Sequence, residues 1–432
     1  MTAQSKTTRQ IQTGVVIYGS VVVLGTIVFQ MLIVAMGWLA YDISRSPIPL
    51  GIIGLIQFFP SLLLFLVFGR IADIYERRKI VILARLFTAS GSALLFVLLS
   101  FHQVSLMALY FTALLLGLAN TVEGPAAAVL LSDIVGVQDL ARSVARISSL
   151  RQLAKVAGPA LGGLLYTIHG DGIFCFGIAT LLSALSVLLL GWLRIPEAEN
   201  INPRNGVGES GIFSGLRYVW RQEILFSAMS LDLVAVFFGS VTILLPIFAK
   251  EVFHTDAFGL GILRSAPALG SLLMASHLSR NSIGERAGRK LICAVAIFGI
   301  ATCVFAFSRK LPFALLTLMV IGAANSVSVI TRQTLVQVLT PLSFRGRVVA
   351  VSQVFTTAAN QLGDLESGFA TAYLGLFPTV FLGGATSLLV AVAWFYLFPK
   401  LRSLGRITPS LLDQNDEVSH SDLYFSLRGS RI

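Results

Sequence analysis

The chain has 432 residues, of which 55% are apolar and only 12% charged, about half the charged share of an ordinary soluble domain. Mean hydropathy is +0.83, and a soluble chain of this length has no interior large enough to hide so much apolar surface. Composition excludes intrinsic disorder, an ordinary cytosolic enzyme and a secreted disulfide scaffold, and leaves a chain that crosses a membrane many times.

Twelve apolar runs follow one another, at roughly 15–40, 50–69, 80–100, 104–125, 146–168, 172–193, 224–248, 258–278, 291–308, 311–331, 348–371 and 374–398. Each is near the ~20 residues that cross a bilayer as helix, and lipid demands helix because backbone groups must be paired internally. The first run is too long for a signal-peptide core and has no small-residue cleavage site behind it, so it is read as a retained span. Cys175, Cys293 and Cys303 lie inside runs without metal spacing and read as small core hydrophobes.

Basic residues orient the chain. Of the 32 Lys and Arg, 25 fall at or beside one set of alternating loops, including Arg85 and Arg332. Four fall on the other set and three inside runs. This bias places both termini in the cytoplasm. It also accounts for the net charge of +11 through attraction to anionic lipid, with no nucleic-acid partner.

The organisation expected is a tail at 1–14, a six-helix bundle at 15–193 and a cytoplasmic linker at 194–223. A second six-helix bundle follows at 224–399, then a tail at 400–432. Within the linker, Gly215 to Arg221 mixes basic and aromatic residues, like a helix lying at the interface. The halves repeat. A shift of 205 residues lays Gly117-Leu118-Ala119-Asn120 on Gly322-Ala323-Ala324-Asn325. It also lays Arg142 on Arg347, Gly158 on Gly363 and Gly163 on Gly368. A parallel repeat about an axis along the membrane normal is the plan of carriers that rock one half against the other.

After the second run stands Gly69-Arg70-Ile71-Ala72-Asp73-Ile74-Tyr75-Glu76-Arg77-Arg78-Lys79. It resembles the signature of the major facilitator superfamily, with Gly69, Asp73, Arg77, Arg78 and Lys79 matching and Glu76 standing where Gly is usual. The matching loop of the second half carries Glu285, Arg289 and Lys290. The resemblance implies a conformational latch, in which Gly69 lets helices approach and Asp73 caps a helix start or pairs with a base. In the fifth run, Gly158-Pro159-Ala160-Leu161-Gly162-Gly163 resembles the Gly-Pro-x-x-Gly-Gly element of the superfamily's exporters. The proline bends the helix and the glycines permit close contact at a seam.

Trp38 to Asp42, Leu245 to Val252, Gly261 to Pro267 and Thr340 to Val348 narrow the resemblance. They are similar to the bacterial branch of enterobactin exporters and proton-linked macrolide efflux proteins. That implies an all-α membrane protein of twelve helices in two pseudo-symmetric bundles. It also implies proton-coupled export of a small amphipathic molecule, a siderophore or a drug-like compound, by a monomer. A lysophospholipid or metabolite carrier, or a non-transporting scaffold, are the alternatives.

Charges inside runs are costly and are candidate sites for that reason. Asp232 lies about nine residues into the seventh run, about 13 Å deep at 1.5 Å per residue. Lys155 and Arg151 lie at comparable depth in the fifth, so an ion pair with Asp232 is one reading. Asp232 and Glu123 are the first proton-carrying candidates, against a structural ion pair for Asp232 and an inner-surface position for Glu123. Asp364 and Glu366 are either a second proton site or outer-vestibule charges, with Arg264 a partner for either. Trp38, Phe237 and Phe238 are candidates for stacking on a planar substrate. No nucleotide-binding, metal or hydrolase motif is present. The expectation is a non-enzyme without cofactor or metal, driven by a proton gradient.

Overall fold

The structure, a computed structural model, describes residues 3–74, 76–193, 211–280 and 286–405, and among these no strand occurs. The helices are α1 (Ala3–Ser44), α2 (Ile48–Ile74), α3 (Arg77–Ser100), α4 (Leu106–Thr167), α5 (Ile173–Trp192), α6 (Gly211–Arg221) and α7 (Glu223–Phe238). They continue with α8 (Leu245–Ile247), α9 (Ala257–Arg280), α10 (Ala287–Ala306), α11 (Leu311–Leu339), α12 (Leu342–Leu374), α13 (Leu376–Leu397) and α14 (Pro399–Ser403). Among the described residues, nine stretches are long and apolar enough to cross a membrane. The second arm of α4, α2 and α12 complete the twelve passages. Charges such as Lys155 and Asp364 interrupt the apolar windows of that α4 arm and of α12.

Helix runs unbroken through α4, where the sequence predicts two spans and a loop, yet the chain does reverse there. Tyr18 on α1 donates to the Ala127 carbonyl at 2.6 Å, and Gly14 faces Ile134. Farther along α1, Ile27 and Gln30 face Gly158, and Met31 faces Gly162. A straight helix would carry Gly158 about 36 Å beyond Ile134, away from α1. The two arms of α4 therefore flank α1 in opposite directions.

A second difference lies in the seventh passage. The sequence predicts one span to Phe248, but α7 stops at Phe238. A 3-10 turn (Thr242–Leu244), α8 and a π turn (Phe248–Val252) follow. Gly239 marks the break: a Cβ there would press on Phe298, the Ala235 carbonyl and Ser387.

Helices α1–α5 and α6–α14 form two groups, joined chiefly by the second arm of α4 against α9 and by α2 against α12. Gly163 lies on the Ala257 carbonyl and Gly261 on the Pro159 carbonyl. Gly51 and Gly368 bring α2 and α12 so close that a Cβ on Gly368 would lie 3.2 Å from the Gly51 Cα. Tyr41 donates to Glu251 at 3.2 Å, and Lys250 pairs with Asp42. All these contacts lie at the end of the bundle that carries the α1–α2 turn, here termed the closed end. The opposite end, which carries the α2–α3 turn, is termed the basic end.

Two helices show the halves parting toward the basic end. On the second arm of α4, the stripe Arg151, Lys155, Gly158, Gly162 is buried at both glycines and exposed at both cations. On α12, the stripe Gln353, Asn360, Asp364, Gly368 is buried at Gly368, half-buried at Asp364 and exposed at Asn360 and Gln353. The α12 stripe leaves the seam with α2 of the other half and the α4 stripe leaves its packing on α1, and both become exposed toward the basic end.

The repeat has a packing counterpart. Gly117 lets α4 rest on the backbone of α2 at Gln57, and Gly322 lets α11 rest on the backbone of α9 at Pro267. Helix α6 docks on the start of α12. Tyr218 stacks on Phe344 at 5.5 Å and donates to the Leu339 carbonyl at 2.9 Å, while Trp220 stays exposed.

Candidate functional site

Glu123 and Arg85 form an ion pair between α4 and α3. The Arg85 side chain is 6% exposed and that of Glu123 21%, so the carboxylate is partly open while the guanidinium is buried. Arg85 is nine residues into α3, where the sequence reading had it in a loop. Its guanidinium fills the space left by Gly25 of α1, which has no Cβ to obstruct it. Tyr18 lies within electrostatic reach of Arg151, Glu123 and Arg85. Lys155 lies within electrostatic reach of Arg151.

Asp232 is not paired with Lys155 or Arg151. Arg332 of α11 holds it at 3.2 Å, with side-chain exposures of 6% and 4% for acid and base. Ser328 donates to the same carboxylate at 2.7 Å. Arg332 also donates to Ser352 at 3.2 Å and Thr356 at 2.6 Å on α12. The sequence reading placed Arg332 in a loop, but α11 runs on to Leu339 and buries it. Glu123 and Ser328 correspond under the shift of 205, so one repeat position serves an ion pair in each half.

The third cluster sits at the α7 break. Ser240 donates to Asp364 at 2.5 Å, and Arg264 donates to the Thr242 carbonyl at 3.2 Å. Arg264 and Asp364 act on each other electrostatically. Gly54 of α2 covers the Asp364 side chain, where an added Cβ would lie 3.3 Å from the Asp364 Cβ. Glu366 accepts from Ser367 at 3.4 Å, a weak bond.

The aromatic candidates face other partners. Lys250 lies 5.1 Å over the Trp38 ring at the closed end. Phe237 and Phe238 pack edge to face at 4.9 Å, with Gly363 against the backbone of Phe237. Of the latch residues, Arg77 grips both carboxylate oxygens of Asp133 at 2.8 and 2.7 Å. Arg78 donates to the Gly191 carbonyl at 2.6 Å, and Lys79 pairs with Glu76 at 3.0 Å. These bonds stay within one half. Glu76, not Asp73, is the N-cap of α3, and its side chain makes no cap bond. Gly69 and Asp73 belong to α2, and the side-chain positions there lie outside the described residues. Arg289 is exposed and Lys290 lies in the first turn of α10. Glu285 lies outside the described residues. Among the described residues no group of His, Cys, Asp and Glu could hold a metal.

Comparison with known proteins places the chain. A family described as "Transmembrane secretion effector" matches residues 12–418. The chain belongs to this family of major facilitator transporters. It is 27% identical over 391 residues to the multidrug efflux pump Tap of Mycolicibacterium fortuitum, covering 86% of this chain and 92% of that one. It is 25% identical over 314 residues to the enterobactin exporter EntS of Salmonella choleraesuis, covering 72% and 73%.

Solved structures share the fold. A peptide transporter POT superposes with a TM-score of 0.72 at 11% identity, covering 91% of this chain and 96% of that one. A bacterial homologue of the human lysosomal transporter Spinster gives 0.68 at 15% identity, covering 93% and 98%. The chain is thus a multi-pass membrane protein with the helical fold of this superfamily.

Proposed function

We propose that the chain exports a small amphipathic molecule across a bacterial inner membrane by alternating access, powered by the proton-motive force. The half-open Glu123–Arg85 pair carries this reading. A carboxylate that is partly open while its counter-charge stays buried can take up and release a proton without opening the bundle. Protonation leaves the Arg85 guanidinium without a counter-ion in a low-dielectric wall, which changes the relative stability of the carrier's states. The efflux and exporter names of the relatives support the outward direction. The Lys and Arg bias puts the basic end in the cytoplasm, so the cleft is open inward.

Asp364 is the second proton carrier in this reading. Its cover is Gly54 of the opposite half, so parting of α2 from α12 uncovers it to the far side. Asp232, sealed among Arg332 and Ser328, is a structural partner. The chain works as a monomer, on protons and one small-molecule substrate, with no cofactor.

Inverted membrane vesicles with an acid lumen and a lumenal pH dye test this directly. Siderophores, macrolides and lysolipids are added in turn. The expected result is alkalinisation with one class in the wild type and none with Glu123→Gln. Full alkalinisation by Glu123→Gln removes Glu123 from the coupling, and no response to any class contradicts proton-driven export.

A further inference from the structure

Arg85 answers Glu123, Arg332 answers Asp232 and Arg264 lies by Asp364. Arg151 and Lys155 have no ion-pair partner among the described residues. They stand one turn apart on α4, and each faces the other's positive charge.

Their stripe decides where they point. Leu150, Leu153, Leu161 and Leu164 form the exposed apolar arc of this arm, as a lipid-facing surface requires. Arg151 and Lys155 lie on the other side, in line with Gly158 and Gly162, which meet α1. Lys155 lies around the helix between these α1-facing glycines and the Pro159–Gly163 line that meets α9 of the other half, which turns the pair toward the cleft between the halves. The repeat sharpens the point. Lys155 corresponds to Asn360, which is neutral and donates to the Thr356 carbonyl of its own helix at 2.8 Å. The fold is built at that position without a cation, so the lysine charge is not a requirement of the architecture.

We propose that Arg151 and Lys155 form an anion receptor, and that the exported molecule is an amphiphile carrying a carboxylate, phosphate or sulfonate group. This rests on the export reading and names the substrate class for that cleft. An anion neutralises two cations that otherwise stand uncompensated in a membrane-embedded cleft, where charge is costly. The guanidinium supplies a planar fork and the ammonium a point charge, a combination suited to several oxygens on one group. The apolar part of the molecule lies along the α1 side of the cleft. An anion moving out while a proton moves in transfers two charges per cycle, so an inside-negative potential drives both.

Binding to the full chain in phosphatidylcholine nanodiscs tests the assignment, with empty discs as the reference for partition into lipid. The probes are dansyl-labelled undecanoate, its methyl ester and the dansyl alkylamine of equal length. The acid is expected to bind about tenfold more tightly than the ester, and the amine more weakly still. Lys155→Met and Arg151→Met each weaken acid binding about tenfold and leave the ester unchanged, while Lys155→Arg retains most of it. Equal binding of acid and ester, preference for the amine, or undiminished acid binding in Arg151→Met/Lys155→Met overturns the proposal. Acid binding with no vesicle transport defeats the export reading and leaves the anion receptor. Export of cations alone defeats the receptor and leaves export.

Discussion

The guanidinium of Arg85 occupies the volume that a side chain at Gly25 would need, and from there it reaches Glu123. Three helices meet at this point: α1 supplies the gap, α3 the base and α4 the acid. Gly25→Ala should displace Arg85 and separate the pair. The expected outcome is loss of proton-coupled transport, with a stability loss of about 1–3 kcal/mol for the overpacked site. Transport and thermal unfolding of the purified variant check it together.

Asp232 and Arg332 should behave as a structural unit. Arg332→Leu leaves a buried carboxylate unpaired and should cost about 3–5 kcal/mol. The double variant Asp232→Leu/Arg332→Leu should recover most of that loss. Unfolding of all three proteins in one detergent measures it. Equal losses for the single and double variants would contradict the pairing.

The clasp at the closed end should bias the carrier. Lys250 pairs with Asp42 and lies over Trp38, while Tyr41 reaches Glu251 across the halves. Asp42→Ala should loosen this end. A cysteine placed at Gln361, beside Gly54 in the seam, should then react faster with an impermeant maleimide added at the closed end.

Gly163→Leu should have a stronger effect of the same sign. The Ala257 carbonyl of α9 lies against Gly163, so a side chain there keeps the seam from closing. Transport should fall to background while insertion into the membrane persists. Normal turnover in this variant would show that the seam opens another way.

Much of the fold is legible in the sequence because lipid restricts the choice. Long apolar runs must be helices, and the spacing of Gly117 and Gly322 reports that each half repeats one packing contact. The exporter-type Gly158 to Gly163 segment supplies both the α1 contact and the α9 seam, and the glycines there signal close backbone approach. Charge partners were far less legible. Arg85 and Arg332 stand near the ends of apolar runs, where hydropathy gives way to loop-like composition, and a linear reading counts them as surface charges. Arg332 is buried because α11 extends beyond its apolar run, and Arg85 because Gly25 leaves room for its guanidinium. Asp232 finds its base on α11, about 100 residues away, which depth alone does not reveal. A usable signal was present in Gly25, an isolated glycine in an apolar helix that marks an incoming group. Ser328 offered another, as the repeat mate of Glu123.

Alternating access makes the most direct demand on the distances at the two ends. With the native cysteines replaced, spin labels at Ser149→Cys and Ser279→Cys report the basic end, and labels at Ile43→Cys and Tyr373→Cys report the closed end. Acidification on the closed-end side is predicted to shorten the first distance and lengthen the second, with Glu123→Gln/Asp364→Asn insensitive to pH. Distances that stay fixed, or that change with the same sign at both ends, would contradict a carrier that rocks its halves around a protonated cleft.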